Sequence, residues 1–169
     1  MKWLLVLLAA TCLQAQSSLS RRAPGFSLPD SRLKQYDLAD YRGKVLLIEF
    51  MRTNCNICQS LTTVLEEVKK KYGGKIAILN VVAPPDNQDT VGRYIQQLNV
   101  TSPILFDCGQ MTASYLRITP DKPTVHYPHL VFVDENGFIR REMSADLNST
   151  ELNSGSISRS IESLLGDKK

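Results

Sequence analysis

Apolar and polar positions alternate along this chain in a way that resolves into short segments. Val45–Phe50 is an apolar run of strand length, interrupted by Glu49 alone. After a short polar turn, Leu61, Val64, Leu65 and Val68 recur at i, i+3, i+4, i+7. That spacing predicts a helix over residues 59–72, stopped by Gly73-Gly74. Ile76–Val82 is a second apolar run, broken by Asn80, as expected of an interior parallel strand. Asp89 or Thr90 is placed to cap a helix through Leu98, with Val91, Ile95 and Leu98 on one face. Residues 103–106 form another short strand, and Asp107-Cys108-Gly109 turns into a helix whose apolar face includes Met111 and Tyr115. Residues 119–127 are irregular. Residues 130–133 and 138–139 then read as two strands of a hairpin, with Gly137 placed for positive φ in the turn Asp134-Glu135-Asn136-Gly137. After a polar stretch, 148–156, the positions Ile157, Ile161, Leu164 and Leu165 mark a last amphipathic helix. Ahead of the central strand, residues 23–29 read as a short edge strand fenced by prolines, with 36–38 able to pair with it, and residues 17–22 as a polar, basic, mobile linker. Strands alternating with helices, closed by a hairpin and a helix, predict a three-layer α/β/α sandwich around a central mixed sheet.

A chain of 169 residues, 43% hydrophobic, is long enough for one domain with a sizeable core. The formal net charge is +3, and its basic residues are scattered in short runs. No nucleic-acid surface is therefore expected. Met1-Lys2 followed by a short apolar core has the form of a secretory signal, so residues 1–17 are read as a cleaved signal peptide and 18–169 as the single domain. The apolar part is too short to span a bilayer, and no later segment looks transmembrane. Export is expected, to the periplasm if the source is a Gram-negative bacterium, and no stable membrane insertion. Lipidation at Cys12 is the lesser alternative, because Thr11 is a poor residue immediately before a lipidated cysteine.

The chemistry concentrates where the first strand meets the first helix, at Cys55-Asn56-Ile57-Cys58. The first cysteine falls at the open amino end of a helix, where unpaired N–H groups and the helix dipole favour a thiolate. The second lies one turn inside. Three plainer readings compete. A structural zinc site wants four ligands, and only Cys108, His126 and His129 remain to complete it. A static disulfide closing so small a ring stabilises little by loop-closure entropy. An accidental pair of buried thiols does not explain the strand–turn–helix setting. A redox dithiol accounts for the pattern best, with no cofactor and no metal, and Cys108 is left as a buried inert thiol by default.

Several segments resemble one family. Ala23-Pro24-Gly25-Phe26, Leu38-Ala39-Asp40-Tyr41-Arg42-Gly43-Lys44, the Cys-x-x-Cys itself, and Tyr127-Pro128 ahead of the strand at 130–133 occur in family order in the thioredoxin-like AhpC/TSA–redoxin superfamily. Within it the chain is similar to exported TlpA- and ResA-type thiol–disulfide oxidoreductases. Two departures bear on redox poise: Thr53-Asn54 stands where such proteins usually carry Trp, and Asn56-Ile57 lies between the cysteines. The resemblance implies a thioredoxin-like fold, partners that are disulfide-containing or dithiol proteins, and an upstream redox donor. In related proteins the commonest task is reducing partner disulfides, including those of apocytochrome c.

The roles expected of single residues follow. Cys55 is the nucleophile and Cys58 resolves the mixed disulfide. Glu49, six positions before Cys55, stands where thioredoxins resemble one another in carrying a buried acid; burial raises such a pKa and suits proton exchange with Cys58, whereas an acid reaching solvent or a Lys or Arg is the structural alternative. Pro128 resembles the family's cis-proline facing the dithiol, with Tyr127 beside it on the substrate-binding edge and His129 following as an ordinary strand residue. Arg52 adds positive potential near Cys55 or is simply solvated. Two other functions stay open. A thiol peroxidase of the peroxiredoxin type needs Thr and Pro where this chain, aligned on Cys55, has Arg52 and Ile48. A copper chaperone of related fold uses a wider cysteine spacing and a histidine, which here falls to His126 or His129.

Overall fold

The computed structural model describes residues 20–145 and 149–166. The expected signal segment and Cys12 lie outside the described residues. Among the described residues eight strands are seen: β1 (Arg21–Arg22), β2 (Ser27–Pro29), β3 (Gln35–Asp37), β4 (Val45–Phe50), β5 (Ile76–Val82), β6 (Ile104–Phe106), β7 (His129–Val133) and β8 (Phe138–Ser144). The helices are α1 (Asn56–Tyr72), α2 (Gln88–Leu98), α3 (Gln110–Leu116) and α4 (Ser154–Gly166). Six strands form one mixed sheet in the order β1-β8-β7-β4-β5-β6, and β2 pairs with β3 in a separate ribbon. β4 is parallel to β5 and antiparallel to β7, so it lies in the interior of the sheet. Every residue of β4 is buried, which is why its sequence is apolar on both faces and Glu49 stands out.

Alternate β4 side chains supply two cores. Leu46, Ile48 and Phe50 face a layer containing Met111 and Tyr115 of α3 and, behind them, Phe26, Leu28 and Tyr36 of the β2–β3 region. Val45 and Leu47 face Leu61, Leu65 and Val68 of α1 and Ile157 and Ile161 of α4. Val91 and Tyr94 of α2 pack with Met51, Cys58 and Val82 in a third cluster at the carboxyl end of β4. The α/β/α sandwich with a mixed sheet is therefore as the sequence pattern predicts.

Some boundaries differ for identifiable reasons. Residues 21–22, expected as linker, join the sheet edge as β1, pairing Arg21 with Ile139 and Arg22 with Phe138. Arg21 is held there by the Tyr115 carbonyl and, at 3.0 Å, by Glu142. α1 begins at Asn56, three residues ahead of the expected 59, because Cys55 serves as its cap. Asn87, not Asp89 or Thr90, caps α2; its side chain accepts from the Asp89 and Thr90 amides at 3.0 and 3.1 Å. β8 runs on to Ser144 in partnership with β7, beyond the two residues its sequence suggests. Gly137, at φ 82°, supplies the left-handed residue that the preceding turn needs.

Candidate active site

β4 ends against the helix layer and the chain turns sharply through Arg52–Asn54 into Cys55. Cys55 adopts the extended conformation of a helix cap (φ −106°, ψ 112°), and its Sγ accepts the Cys58 amide at 3.1 Å. Cys55 and Cys58 are joined as a disulfide with Cα atoms 5.2 Å apart. Cys55 is half-buried, Cys58 fully buried, and Ile57 between them is 52% exposed. The two sulfurs are thus unequal. An attacking group reaches Cys55 first, and the amides at the start of α1 are placed to stabilise negative charge on it.

The turn where related proteins carry Trp is held by other means. The Thr53 hydroxyl bonds Asp86, which also accepts the Thr53 amide at 3.3 Å and the Thr90 hydroxyl at 3.2 Å. Gln59 Nε2 donates to the Thr53 carbonyl at 3.1 Å. Arg52 is neither free nor simply solvated. Its Nη1 donates to the Pro84 carbonyl at 2.7 Å, and its guanidinium lies 5.0 Å from the centre of the Tyr127 ring. One side chain therefore ties the β5–α2 loop and the loop before β7 to the turn that carries Cys55.

Glu49 points to the α1 side of the sheet and is 0% exposed. Its Oε2 accepts the Thr62 hydroxyl at 2.8 Å, while Oε1 is buried with no hydrogen-bond partner among the described residues. Burial pushes its pKa up to about 8, opposed only by the Thr62 bond. Thr62 follows Cys58 by four residues, so the two share one face of α1 a turn apart. The carboxyl is thereby set one helical turn beneath the buried cysteine. Glu66, a further turn along α1, makes an instructive contrast. Burial also acts to raise its pKa, but the Thr101 and Ser102 amides donate to Oε1 at 3.1 and 2.8 Å and the Thr101 hydroxyl donates to Oε2 at 2.5 Å, and these donors leave it lowered.

The Tyr127–Pro128 peptide is cis, as expected. The register pairs His129 with Phe50, which brings Pro128 to the carboxyl end of β4, the end from which Met51 leads to Cys55. Tyr127 packs on the cluster that contains Cys58 and Met51. His129 opens β7 with its Nε2 3.3 Å from Glu142. Burial acts to raise the Glu142 pKa, but contacts from His129 and Arg21 outweigh it and leave that carboxyl lowered. Among the described residues no group of three His, Cys, Asp or Glu side chains is arranged to hold a metal ion.

Cys108 departs from expectation: its thiol is exposed. The reason is its neighbour. Asp107 turns inward, 3% exposed, to accept the Met111 and Thr112 amides at the start of α3 at 3.1 and 2.8 Å, which leaves the next residue facing out. In the oxidised protein made without residues 1–17, a maleimide should label one thiol under native conditions, at Cys108, as located by peptide mass spectrometry. Labelling that needs denaturant would return Cys108 to the interior.

Sequence reading missed Thr62, Tyr94, Asp86 and Arg52's two contacts. Thr62 carries a weak signal, a polar residue at helical spacing from Cys58. Tyr94 carries none, because its role depends on how α2 crosses α1.

The AhpC/TSA family model matches residues 19–142. The chain is 28% identical over 122 residues to the thioredoxin-like protein YneN of Bacillus subtilis, covering 71% of this chain and 68% of the relative. It is 26% identical over 145 residues to the thiol–disulfide oxidoreductase ResA of Geobacillus kaustophilus, covering 84% of this chain and 75% of that one. Among solved structures, the thiol:disulfide interchange protein of the thioredoxin family from Chlorobium tepidum superposes with a TM-score of 0.72 at 17% identity, covering 87% of this chain and 97% of that one. That likeness establishes the thioredoxin-like fold, and the match over residues 19–142, which takes in β4, the Cys55–Cys58 pair and the Pro128 turn, places the chain in the AhpC/TSA family, among redoxins of the TlpA and ResA type.

Proposed function

We propose that the protein is a thiol–disulfide oxidoreductase that reduces disulfides of partner proteins through Cys55 and Cys58. The observation carrying this reading is the asymmetry of the pair: a reachable sulfur at a helix start and a buried one beneath it. In the reduced protein, the Cys55 thiolate attacks a partner disulfide, one partner sulfur leaves as a thiolate, and a mixed disulfide forms. Cys58 then gives up its proton and attacks Cys55 Sγ, which restores the internal disulfide and releases the partner as a dithiol. Two electrons pass to the partner in each cycle, and an upstream dithiol donor returns them. Glu49 is suited to receive the Cys58 proton, because its carboxyl is held one helical turn away at Thr62 and one of its oxygens has no partner among the described residues. Tyr127 and Pro128 supply the backbone edge along which the partner's chain lies. The ResA relatives, named as thiol–disulfide oxidoreductases, favour this reading, and an extracytoplasmic setting rests on export by residues 1–17. No helix among the described residues is long and apolar enough to cross a membrane.

Turnover of a protein disulfide decides it. With a dithiol donor in excess, the protein should accelerate reduction of insulin's interchain disulfides, and Cys55→Ser should abolish the acceleration. If the protein instead consumed hydrogen peroxide and left insulin untouched, the peroxidase reading would replace this one.

A further inference from the structure

Glu49 does not stand alone beneath the disulfide. The Thr62 hydroxyl that donates to its Oε2 lies 2.8 Å from the Tyr94 hydroxyl on α2, and both residues are buried. A threonine hydroxyl has one proton. With that proton directed to Glu49, Thr62 accepts from Tyr94, and the chain runs Tyr94 Oη–H to Thr62 Oγ1–H to Glu49 Oε2. The reverse direction would turn the Tyr94 proton away from its one hydrogen-bond partner among the described residues, inside a cluster of Met51, Val82 and Val91. The direction of the chain is thus fixed from its α2 end.

From this we infer that Thr62 and Tyr94 are positioning residues that keep Glu49 Oε2 occupied and reserve Oε1 as the oxygen that takes and returns the proton of Cys58. The inference rests on the proton-acceptor role proposed for Glu49. Around that carboxyl, α1 presents Thr62 and Cys58, α2 presents Tyr94, β5 presents Asn80 in register with Glu49, and β7 presents the apolar Leu130. Asp86, in the loop before α2, acts on Tyr94 through space. Glu66, one turn beyond Thr62, is committed to Thr101 and Ser102. The side chain of Asn80 is buried, and neither its nitrogen nor its oxygen has a hydrogen-bond partner among the described residues. No cation is among these groups. The donated hydrogen bond from Thr62 is then the chief influence that favours the ionised form, against burial.

The step itself is a proton transfer without redox change: Cys58 Sγ–H and Glu49 carboxylate become Cys58 thiolate and Glu49 Oε1–H. Thr62 and Tyr94 keep their protons throughout.

The test follows the Glu49 carboxyl carbon by NMR in protein labelled at glutamate side chains, alongside the pH dependence of mixed-disulfide resolution. Thr62→Val, which keeps the shape and removes the donor, should raise the Glu49 midpoint by about one pH unit or more, the scale of a lost hydrogen bond to a carboxylate. Tyr94→Phe should raise it by less, and Thr62→Ser should restore it. The alkaline rise of the resolution rate should move with the midpoint. A midpoint unchanged in Thr62→Val overturns the positioning role, even if Glu49→Gln slows resolution. A midpoint that moves while the rate profile stays where it was supports the chain and overturns Glu49 as the proton acceptor. Circular dichroism on each variant separates these outcomes from misfolding.

Discussion

Cys58→Ala protein, reduced and mixed with a disulfide-containing substrate, should accumulate a covalent complex through Cys55, visible as a reductant-sensitive band on a non-reducing gel. Cys55→Ala should yield essentially none. The difference expected is near all-or-none, because Cys58 is fully buried and Cys55 is half-open. The Cys58 amide, 3.1 Å from Cys55 Sγ, stays in place in Cys58→Ala, since the substitution leaves the backbone donor untouched. The trapping cysteine thus keeps its helix-start environment while losing its resolving partner. Complexes that formed through Cys58 and not Cys55 would reverse the two roles.

The second large effect concerns stability. Glu49 has a pKa of about 8 in the folded protein against an ordinary 4.5. Below pH 4.5 the group is protonated folded and unfolded alike, and the folded state suffers no penalty. Between about pH 4.5 and 8 the unfolded chain ionises while the folded one retains its proton, so the folded state binds more protons and stability falls as pH rises. Above that window the loss is complete. At about 1.4 kcal/mol per pH unit, the accumulated loss is several kcal/mol. Glu49→Gln should abolish this slope. Urea unfolding of both oxidised proteins at pH 5, 7 and 9 should show near-equal stability at the acid end and a more stable variant at the alkaline end. Parallel curves across that range would mean that the carboxyl is ionised in the folded protein at neutral pH.

What the sequence made legible, and what it did not, follows from the range of the interactions involved. β4 and β5 were readable to the residue because their burial on both faces leaves a continuous apolar signature. The Cys-x-x-Cys and Glu49 were readable for the complementary reason: each breaks a local pattern. The cap of α2 falls two or three residues ahead of the expected one because Asn87, Asp89 and Thr90 are all competent caps, and only the backbone decides among them. β1 was unreadable, since two arginines have no strand signature; its partner strand is β8, and the Glu142 that Arg21 bonds lies 121 residues away. Tyr94 and Arg52 escaped for the same reason, as their partners lie on elements that meet only after folding. Cys108 was misjudged because a cysteine's average burial says nothing about which of two adjacent turn residues the helix start will claim.

The β1–β8 pairing has a mechanical side. Arg21 and Arg22 pair with Ile139 and Phe138, at the start of β8, whereas the Ser144 end of that strand lies beside His129 and so beside the reactive end of the sheet. The polypeptide therefore enters the domain at a lateral edge, toward the pole away from Cys55. A tether fixed ahead of Ser20, whether a surface, a bead or a fused carrier, would join the domain at the end of the sheet away from that sulfur. Length added to such a tether extends the radius that the reactive pole can sweep and leaves the chemistry of the pair as it was.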